Sequence, residues 1–245
     1  MTKLTIIIPT FNEIDYIEDA IKSIEFADEI IVIDSFSTDG TKEKAIELGC
    51  KVLDRKFDNF SNQKNHAISF ATGDWILFLD ADERISKKLQ FEIQETISNP
   101  KYNAYKLRFP HFYMNRFLYH SESKVLRLVK NKDVYFEGAV HEKLKTNGKT
   151  GILDNFVIHY TYKGLLHYIN KKDSYAWFQA KMSLEKNKKA NLFLLIFKPF
   201  YRFFHSYILK RGFLDGIPGL AVATINAYGV FSRYAKMILI EKGLK

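Results

Sequence analysis

The first eighty residues alternate between short strand-like runs and stretches of helical periodicity, and this alternation constrains the fold more than any other feature. The strand-like runs are LTIIIP (residues 4–9), EIIVID (29–34), KVLDR (51–55) and DWILFLD (74–80). Most of them are strongly apolar, which is typical of strands that are covered on both faces. The repeated β–α order predicts an α/β fold with a mostly parallel central sheet and helices on both faces of it.

The second half of the chain loses this rhythm. After a predicted helix at residues 86–98, four strand-like segments rich in aromatic residues follow with no helix between them: 102–114, 124–131, 134–144 and 155–162. We expect them to extend the sheet in a mixed or antiparallel manner. Helical periodicity returns afterwards, which predicts a main domain over residues 1–162 and a helical extension over 163–245.

Polar residues follow three of the predicted strands at their carboxyl ends, the edge where open α/β sheets bind ligands. They are Thr10, Asn12 and Glu13 after the first strand, Asp34 and Ser35 after the second, and Asp80 and Asp82, on either side of Ala81, after the fourth. Side chains at i and i+2 of a strand end point the same way, so both aspartates can face one cleft. Mg²⁺ and Mn²⁺ take such oxygen ligands together with substrate phosphates, so the DxD motif predicts a metal-dependent nucleotide diphosphate site.

These residues also have ordinary structural explanations. Short acidic turns are common, and Asp34 can equally form a turn or cap a helix. Gln63, Lys64 and Asn65 lie in the helix that leads into the DxD strand, where Lys64 can offset diphosphate charge or the cluster can be an exposed helix face. Arg84 is a possible partner of Glu83.

Composition limits the location of the protein and its partners. The single cysteine, Cys50, excludes an internal disulfide and a cysteine-rich zinc site, and no cleavable signal pattern precedes the first strand, which together predict a cytoplasmic protein. The net charge of +9 belongs to the C-terminal third, where fifteen Lys and Arg face four Asp and Glu from Asn155 onward. Such a bias indicates either a partner with an anionic surface, such as nucleic acid or phospholipid, or a charge that only keeps the protein soluble. No nucleic-acid-binding motif accompanies it, so we expect no nucleic acid partner.

The extension contains an unusual aromatic helix, LFLLIFKPFYRFFHSYILKRG (192–212). Lys198, Arg202, Ser206 and Lys210 recur at four-residue intervals as a thin polar stripe on it. No stretch reaches the roughly 20 uncharged apolar residues of a spanning helix, and Pro199 interrupts this one. The pattern predicts a helix that lies on the inner face of the cell membrane. The alternative is a helical hairpin buried against the rest of the chain or in a homo-oligomer.

Four segments together resemble family two glycosyltransferases: TIIIPTFNE (5–13), EIIVIDSFSTDGT (29–41), NQKNHAISFATGDWILFLDADE (62–83) and FEGAVHEKL (136–144). The similarity covers most of residues 3–160 and is closest to the small bacterial branch with lipopolysaccharide core β-glucosyltransferases. It implies the GT-A fold and an inverting, metal-dependent hexosyltransferase. It also implies a UDP-sugar donor, UDP-glucose in particular, Mn²⁺ or Mg²⁺ as cofactor, and a lipid-linked or lipopolysaccharide-type glycan as acceptor.

The resemblance assigns roles to individual residues. It places the nucleotide sugar at Thr10, Asn12, Glu13, Asp34, Lys64, Asn65, Asp80 and Ala81, and the metal at Asp82 and His159, with His141 as a competing histidine. Many members have a second aspartate where this chain has Ser35, which leaves base recognition open.

The reaction also requires a carboxylate that accepts the proton of the attacking hydroxyl group. Glu137 and Glu142 are the candidates, and Glu142 is preferred because VHE matches the signature of the branch. Its structural alternative is a surface carboxylate paired with Lys143 or Lys145.

Two readings of a different class compete with this one. A phosphatase or phosphotransferase of the haloacid dehalogenase type also uses a DxD motif, but after its first strand, whereas here the first strand ends in PTFNE. A non-enzymatic membrane- or polyanion-binding protein would use only the basic extension, and loss of Asp82 would not affect it.

Overall fold

The computed structural model describes residues 2–138, 142–160 and 164–244, without the side chains of Ser121 and His167. The chain forms two compact units. The first consists of Met1–Phe109 and Ser123–Tyr160, and the second of Pro110–Glu122 and Thr161–Lys245.

A mixed β-sheet of eight strands is the framework of the first unit. In chain order the strands are β1 (Leu4–Thr10), β2 (Glu29–Asp34), β3 (Lys51–Asp54), β4 (Trp75–Phe78), β5 (Glu83–Ile85), β6 (Ala104–Tyr113), β7 (Arg116–Lys130) and β10 (Thr150–His159). Their spatial order is β3-β2-β1-β4-β7-β6-β10-β5. β3, β2, β1 and β4 are parallel, β7 is antiparallel to β4, β10 is parallel to β6, and β5 is antiparallel to β10. The predicted α/β class, with a parallel sheet and a mixed extension, is confirmed.

The apolar strands are buried on both faces, as their composition predicted. Leu4, Ile6 and Ile8 of β1 belong to one core cluster, and the intervening Ile7 belongs to a second cluster on the opposite face. Alternation of side chains along a strand produces this division. Each such isoleucine contributes about 1.5–3 kcal/mol through burial, so the parallel strands form the stable centre of the unit.

Four helices cover this sheet: α1 (Ile14–Lys22), α2 (Thr41–Glu47), α3 (Phe60–Ile68) and α4 (Lys87–Ser98). α1 buries Ile17, Ala20 and Ile21, which recur at helical spacing and so share one face. Asn59 caps α3 by accepting a hydrogen bond from the backbone N–H of Asn62.

Two details differ from the sequence-based expectations. Strand β5 was not predicted, because it has only three residues and two of them are charged. FEGAVHEKL, expected to be one strand, contributes β8 (Tyr135–Glu137) and β9 (Lys143–Lys145) to a separate antiparallel ribbon; residues 139–141 between them lie outside the described part of the chain.

β10 pairs with two other strands, β6 and β5. It pairs with β6 through Ile152, and after a shift of register it pairs again from Phe156 onward. Its last residues pair with β5, so that His159 lies opposite Glu83. The segment of the register shift is held by Glu92 of α4, whose carboxylate accepts hydrogen bonds from the backbone N–H groups of Asp154 and Asn155.

The second unit is helical. It contains α5 (Leu165–Glu185), α6 (Leu192–Phe204), a π-helical turn (His205–Leu209), a 3₁₀ turn (Gly212–Asp215) and α7 (Gly216–Glu241). The tip of the β6–β7 hairpin belongs to the same unit, since Tyr113 and Leu118 share a cluster with Val222 and Ile225 of α7. The unit is therefore discontinuous in sequence.

The aromatic helix has an exposed apolar surface. Among the described residues, one helical stretch, Leu192–Leu209, is long and apolar enough by length and composition to cross a membrane, and 6% of it is buried. The predicted polar stripe is only partly present: Lys198, Arg202 and Lys210 are exposed, but Ser206 is buried in the π-helical turn.

Candidate active site

A cleft of about 730 Å³ lies at the carboxyl ends of β1, β2 and β4. Seven of the residues that we predicted for the site line it: Thr10, Glu13, Lys64, Asp80, Ala81, Asp82 and Glu142. Ser35 and Gln63 also contribute to the lining. The edge of the sheet therefore brings together residues that are up to 132 positions apart in the chain.

The DxD motif is fixed by an arginine that sequence reasoning missed. Arg127 of β7 donates to Asp80 Oδ2 at 2.7 Å and to Glu83 Oε1 at 2.9 Å through the same Nη2 atom. Glu83 Oε2 in turn accepts a hydrogen bond from the backbone N–H of Asp80. Burial disfavours the charge of Asp80, yet the Arg127 guanidinium holds the pKa of that carboxyl well below its usual range.

Glu83 responds differently to the same environment. Its side chain is only 2% exposed. Burial raises the pKa of Glu83 to about 7, against the attraction of Arg127 and with the repulsion of Asp80. Two carboxyl groups thus share the Arg127 cation but differ in acidity. Asp80, with the lowered pKa, is the more readily ionised of the two.

Arg84 supports the motif through backbone groups. Its guanidinium donates to the carbonyl oxygens of Ala81 at 2.7 Å and Tyr16 at 2.6 Å. The proposed pairing of Arg84 with the Glu83 carboxylate is wrong, since that carboxylate bonds Arg127 while Arg84 reaches only the Glu83 carbonyl oxygen. Arg84 therefore ties the turn after β4 to helix α1.

Asp82 and His159 meet at the cleft from positions 77 residues apart. Asp82 Oδ2 lies 2.9 Å from His159 Nε2. This hydrogen bond lowers the pKa of Asp82. Burial works against a charged His159, but the bond to Asp82 and the nearby carboxylates raise the pKa of the imidazole overall.

The same two atoms are suitable ligands for a divalent cation. The two atoms share a hydrogen bond, so a cation that binds both of them would take the place of its proton. An oxygen and an imidazole nitrogen suit Mn²⁺. Among the described residues no group of three or more His, Cys, Asp or Glu can hold a metal, so a bound cation would need phosphate oxygens or water as further ligands. His141 lies outside the described residues.

Glu142 faces the cleft and Glu137 does not. Lys64 Nζ lies 2.9 Å from Glu142 Oε1, and the Lys64 ammonium also lies 4.9 Å from the centre of the Phe136 ring. Glu137 is exposed and pairs with Lys145 at 3.2 Å. The surface pairing that we considered for Glu142 is thus formed by Glu137 instead.

Asp34 is fully buried, and its carboxylate is occupied by the protein itself. It accepts hydrogen bonds from Thr10 Oγ1 at 3.0 Å and from the backbone N–H and the hydroxyl group of Ser37 at 2.7 and 2.6 Å. Helix α2 begins after Gly40, and its first backbone N–H, that of Thr41, is bonded by Asp39, so Asp34 is not a helix cap. It holds the loops after β1 and β2 together.

Asn12 and Asn65 also shape the walls rather than line the cleft. Asn12 accepts a hydrogen bond from the backbone N–H of Thr38 at 2.9 Å and has a left-handed backbone conformation with φ of 55°. Asn65 donates to the carbonyl oxygen of Phe136 and accepts from its N–H, which fixes strand β8 beside α3. Both residues lie next to the cleft and position its loops.

An aromatic wall was not anticipated from the sequence. Phe11, Phe57 and Phe60 line the cleft, and each is between 45% and 59% exposed. Phe57 and Phe60 contact each other edge to face, with ring centres 5.0 Å apart. Ser35 also lines the cleft, and its hydroxyl accepts a hydrogen bond from Gln63 at 3.0 Å. Exposed rings beside a polar floor can stack on a planar base.

Carboxylates, a lysine and exposed aromatic rings thus lie together at the carboxyl edge of an α/β sheet, where such sheets bind their ligands. The chain belongs to glycosyl transferase family 2, whose model matches residues 5–161. The resemblance inferred from the sequence is confirmed. The phosphatase and non-enzymatic readings are set aside.

Known relatives cover nearly the whole chain. It is 32% identical over 254 residues to an uncharacterized glycosyltransferase of Rickettsia felis, which covers 97% of this chain and 90% of that one. It is 27% identical over 257 residues to the lipopolysaccharide core biosynthesis glycosyltransferase LpsC of Rhizobium meliloti, with 95% and 93% covered. Among solved structures, glucosyl-3-phosphoglycerate synthase from Mycobacterium tuberculosis, in complex with Mn²⁺ and UDP, is similar over 43% of each chain, at 24% identity and a TM-score of 0.38.

Proposed function

We propose that this glycosyltransferase moves a hexose from a UDP-sugar, UDP-glucose in the first instance, to a hydroxyl group of a lipid-linked or lipopolysaccharide-type glycan, with inversion at the anomeric carbon. The observation that carries the proposal is that one cleft holds Asp80, Asp82 and Glu142 in a family 2 chain. The similarity to a lipopolysaccharide core enzyme supports the class of acceptor.

Glu142 is the proposed base. As the acceptor oxygen forms its bond to the anomeric carbon, the bond from that carbon to the diphosphate oxygen breaks, and the hydroxyl proton passes to Glu142. Lys64, which pairs with Glu142 in the free protein, offers a positive charge beside the same space for the diphosphate. Glu137 is disfavoured by its exposed position and its pair with Lys145.

Asp82 and His159 are the proposed holders of Mn²⁺ or Mg²⁺. When bound, such an ion stabilises the negative charge that develops on the leaving diphosphate. Asp80, oriented by Arg127, is proposed to contact the sugar or the ribose. The exposed rings of Phe57 and Phe60 are proposed to stack on the base, where Ser35 replaces the second aspartate of many relatives.

The helical unit is proposed to hold the enzyme at the cytoplasmic face of the cell membrane. Support comes from the exposed aromatic surface of α6 and from the positive charge of the C-terminal third. An enzyme bound there would meet a lipid-anchored acceptor in two dimensions.

Calorimetry of UDP binding, with and without Mn²⁺, tests the central assignment. We expect UDP to bind in a metal-dependent manner and Asp82→Ala to abolish the metal-dependent part. Asp74→Ala is a matched control, since Asp74 is an exposed aspartate immediately before the other end of β4. Unchanged binding by the Asp82 variant would refute the metal site, and tighter binding of another nucleotide would refute the choice of UDP.

A further inference from the structure

The helical unit contains a cavity of about 450 Å³, and none of its lining residues belongs to the candidate active site. Four cationic side chains line it: Lys172 of α5, Lys198 and Arg202 of α6, and Arg233 of α7. No acidic residue is among its lining residues. Three separate helices thus direct positive charge into one concave space.

The four cations lack carboxylate partners within the described part of the chain: none forms an ion pair there within 4.0 Å. Asp173, the acid of this region, is occupied by Lys236 at 2.6 Å and by the hydroxyl group of Ser232 at 2.6 Å. Burial, followed by the neighbouring charges of Arg202 and Lys171, lowers the pKa of Lys172. Like charges gathered without a counterion favour an anion from outside.

Two of the cations are held in place by the protein. The Lys172 ammonium lies 5.3 Å from the centre of the Tyr168 ring, and the Arg233 guanidinium lies 4.7 Å from that of Tyr234. Gly229 faces the stem of Lys172, where a Cβ atom would lie 3.6 Å from it. The Nε atom of Arg233 is buried and has no hydrogen-bond partner among the described residues. An unused buried donor normally marks a missing acceptor.

The cationic cavity adjoins an apolar surface on the same helix. Leu192, Phe193, Ile196, Phe197 and Phe200 line a second cavity of about 570 Å³ and are all exposed. The Phe197 ring stacks on Tyr201 with centres 6.4 Å apart, and Tyr201 lines the cationic cavity. One face of α6 therefore passes from apolar to cationic within about one helical turn.

We propose that the cavity between α5, α6 and α7 binds the phosphate group of an anionic membrane lipid, whose acyl chains lie against the apolar face of α6. Phosphate presents several charged oxygens in a small volume, which matches four converging cations. A soluble anion would satisfy the cations but would leave the adjoining aromatic surface in water. This proposal rests on the membrane association proposed above and adds the class of lipid that the helical unit would bind.

Sedimentation of the full chain with vesicles tests this site. The probes are vesicles of phosphatidylcholine alone and of phosphatidylcholine mixed with phosphatidic acid. The test variant is Lys198→Gln/Arg202→Gln, in which both substituted residues are exposed. Its control is Lys188→Gln/Lys189→Gln, which removes the same charge from exposed positions between α5 and α6.

We expect wild type to prefer the anionic vesicles and the cavity variant to lose at least about tenfold more affinity than the control. General attraction to an anionic surface depends on the number of charges. If it alone caused vesicle binding, both variants would therefore lose about the same affinity. Equal losses would overturn the proposal. Circular dichroism of both variants verifies that they are folded.

A soluble anion distinguishes a site for a lipid phosphate from a site for free phosphate. Thermal unfolding is measured with and without inorganic phosphate. The lipid assignment would be overturned if phosphate protected wild type but not the cavity variant and wild type did not bind anionic vesicles. Phe193→Ser/Phe200→Ser is expected to lose vesicle binding. Binding retained in that variant would contradict the role of α6. Calorimetry of UDP is expected to be unchanged in all of these variants, so failure here is distinguishable from failure of the catalytic assignment.

Discussion

The cleft of the first unit and the cationic cavity of the helical unit differ in how their charges are compensated. At the cleft of the first unit each principal charge has a partner: Arg127 with Asp80 and Glu83, Lys64 with Glu142, and His159 with Asp82. In the helical unit four cations share a cavity without a carboxylate among its lining residues. Paired charges hold the side chains of a site in position before a ligand binds. Unpaired charges are stabilised only when an oppositely charged partner binds.

The comparison also extends to apolar side chains. Leu4, Ile6, Ile7 and Ile8 of the central strand are at most 1% exposed, whereas Phe193 and Phe200 of α6 are 67% and 68% exposed. The central strand of the first unit buries its apolar side chains within that unit, whereas α6 presents a contiguous exposed apolar surface. A surface of this kind is typical of an interaction with a membrane or another protein.

The largest expected effect concerns a paired charge that is also the proposed base. Glu142→Gln removes the proposed proton acceptor and is expected to lower kcat by about 10²–10⁴-fold, with UDP binding largely retained. The rate of UDP release from UDP-glucose in the presence of a glycan acceptor provides the measurement. Glu137→Gln is the matched control, and the assignment of the base would be reversed if the control lost the activity instead.

A second prediction tests whether the pairing at the DxD motif is structural. Arg127→Met leaves Asp80 and Glu83 without their cation and is expected to reduce the free energy of unfolding by about 3–5 kcal/mol. Urea denaturation measures it. Arg116→Met, an exposed change on the same strand, should stay within about 0.5 kcal/mol of wild type. Adding Glu83→Gln to Arg127→Met should recover part of the loss, and no recovery would argue against charge as its cause.

A smaller effect is expected from packing in the first unit. A Cβ atom at Gly73 would lie 2.7 Å from the backbone nitrogen of Thr5, in the loop that precedes β4. Because the backbone of β1 cannot yield as a flexible side chain can, Gly73→Ala should cost about 1–3 kcal/mol of stability. Thermal unfolding provides the readout, and a variant as stable as wild type would contradict the close approach.

The smallest effect has the opposite sign and belongs to the helical unit. At Gly229 an added Cβ atom would make only ordinary contacts, at 3.6 and 3.8 Å, with the stem of Lys172. Gly229→Ala in the middle of α7 is therefore expected to stabilise the chain by about 0.5–1 kcal/mol, because alanine loses less conformational freedom in a helix. The same unfolding assay compares it with Gly73→Ala, and destabilisation of both would remove the packing contrast between the units.

The sequence predicted the central strands and the edge that carries the site because apolar runs and the polar residues after them are local features. It could not predict Arg127, which lies 47 residues beyond Asp80 on an antiparallel strand. Nothing local marks which of several cations on β7 meets the motif. The same holds for the tip of the β6–β7 hairpin, whose apolar residues pack with helix α7.

Within the site, sequence patterns identified residue types better than their roles. Asp34 was expected at the sheet edge and lies there, but its oxygens are taken up by Thr10 and Ser37. The meeting of Asp82 with His159 came from the family resemblance and not from spacing. Hydrogen-bond partners depend on tertiary geometry, which a linear pattern does not contain.

The pairing of β10 with β5 has a consequence for how the chain can vary in length. His159 reaches Asp82 because its strand, after the register shift near Asp154, enters a three-residue ladder with β5. Side chains alternate between the faces of a strand, so inserting or deleting one residue between Ile152 and Val157 would turn His159 away from the cleft. Glu92 accepts hydrogen bonds from the backbone N–H groups of Asp154 and Asn155 and so fixes the conformation of that segment. A change of one residue in this segment is therefore expected to separate the histidine from the aspartate.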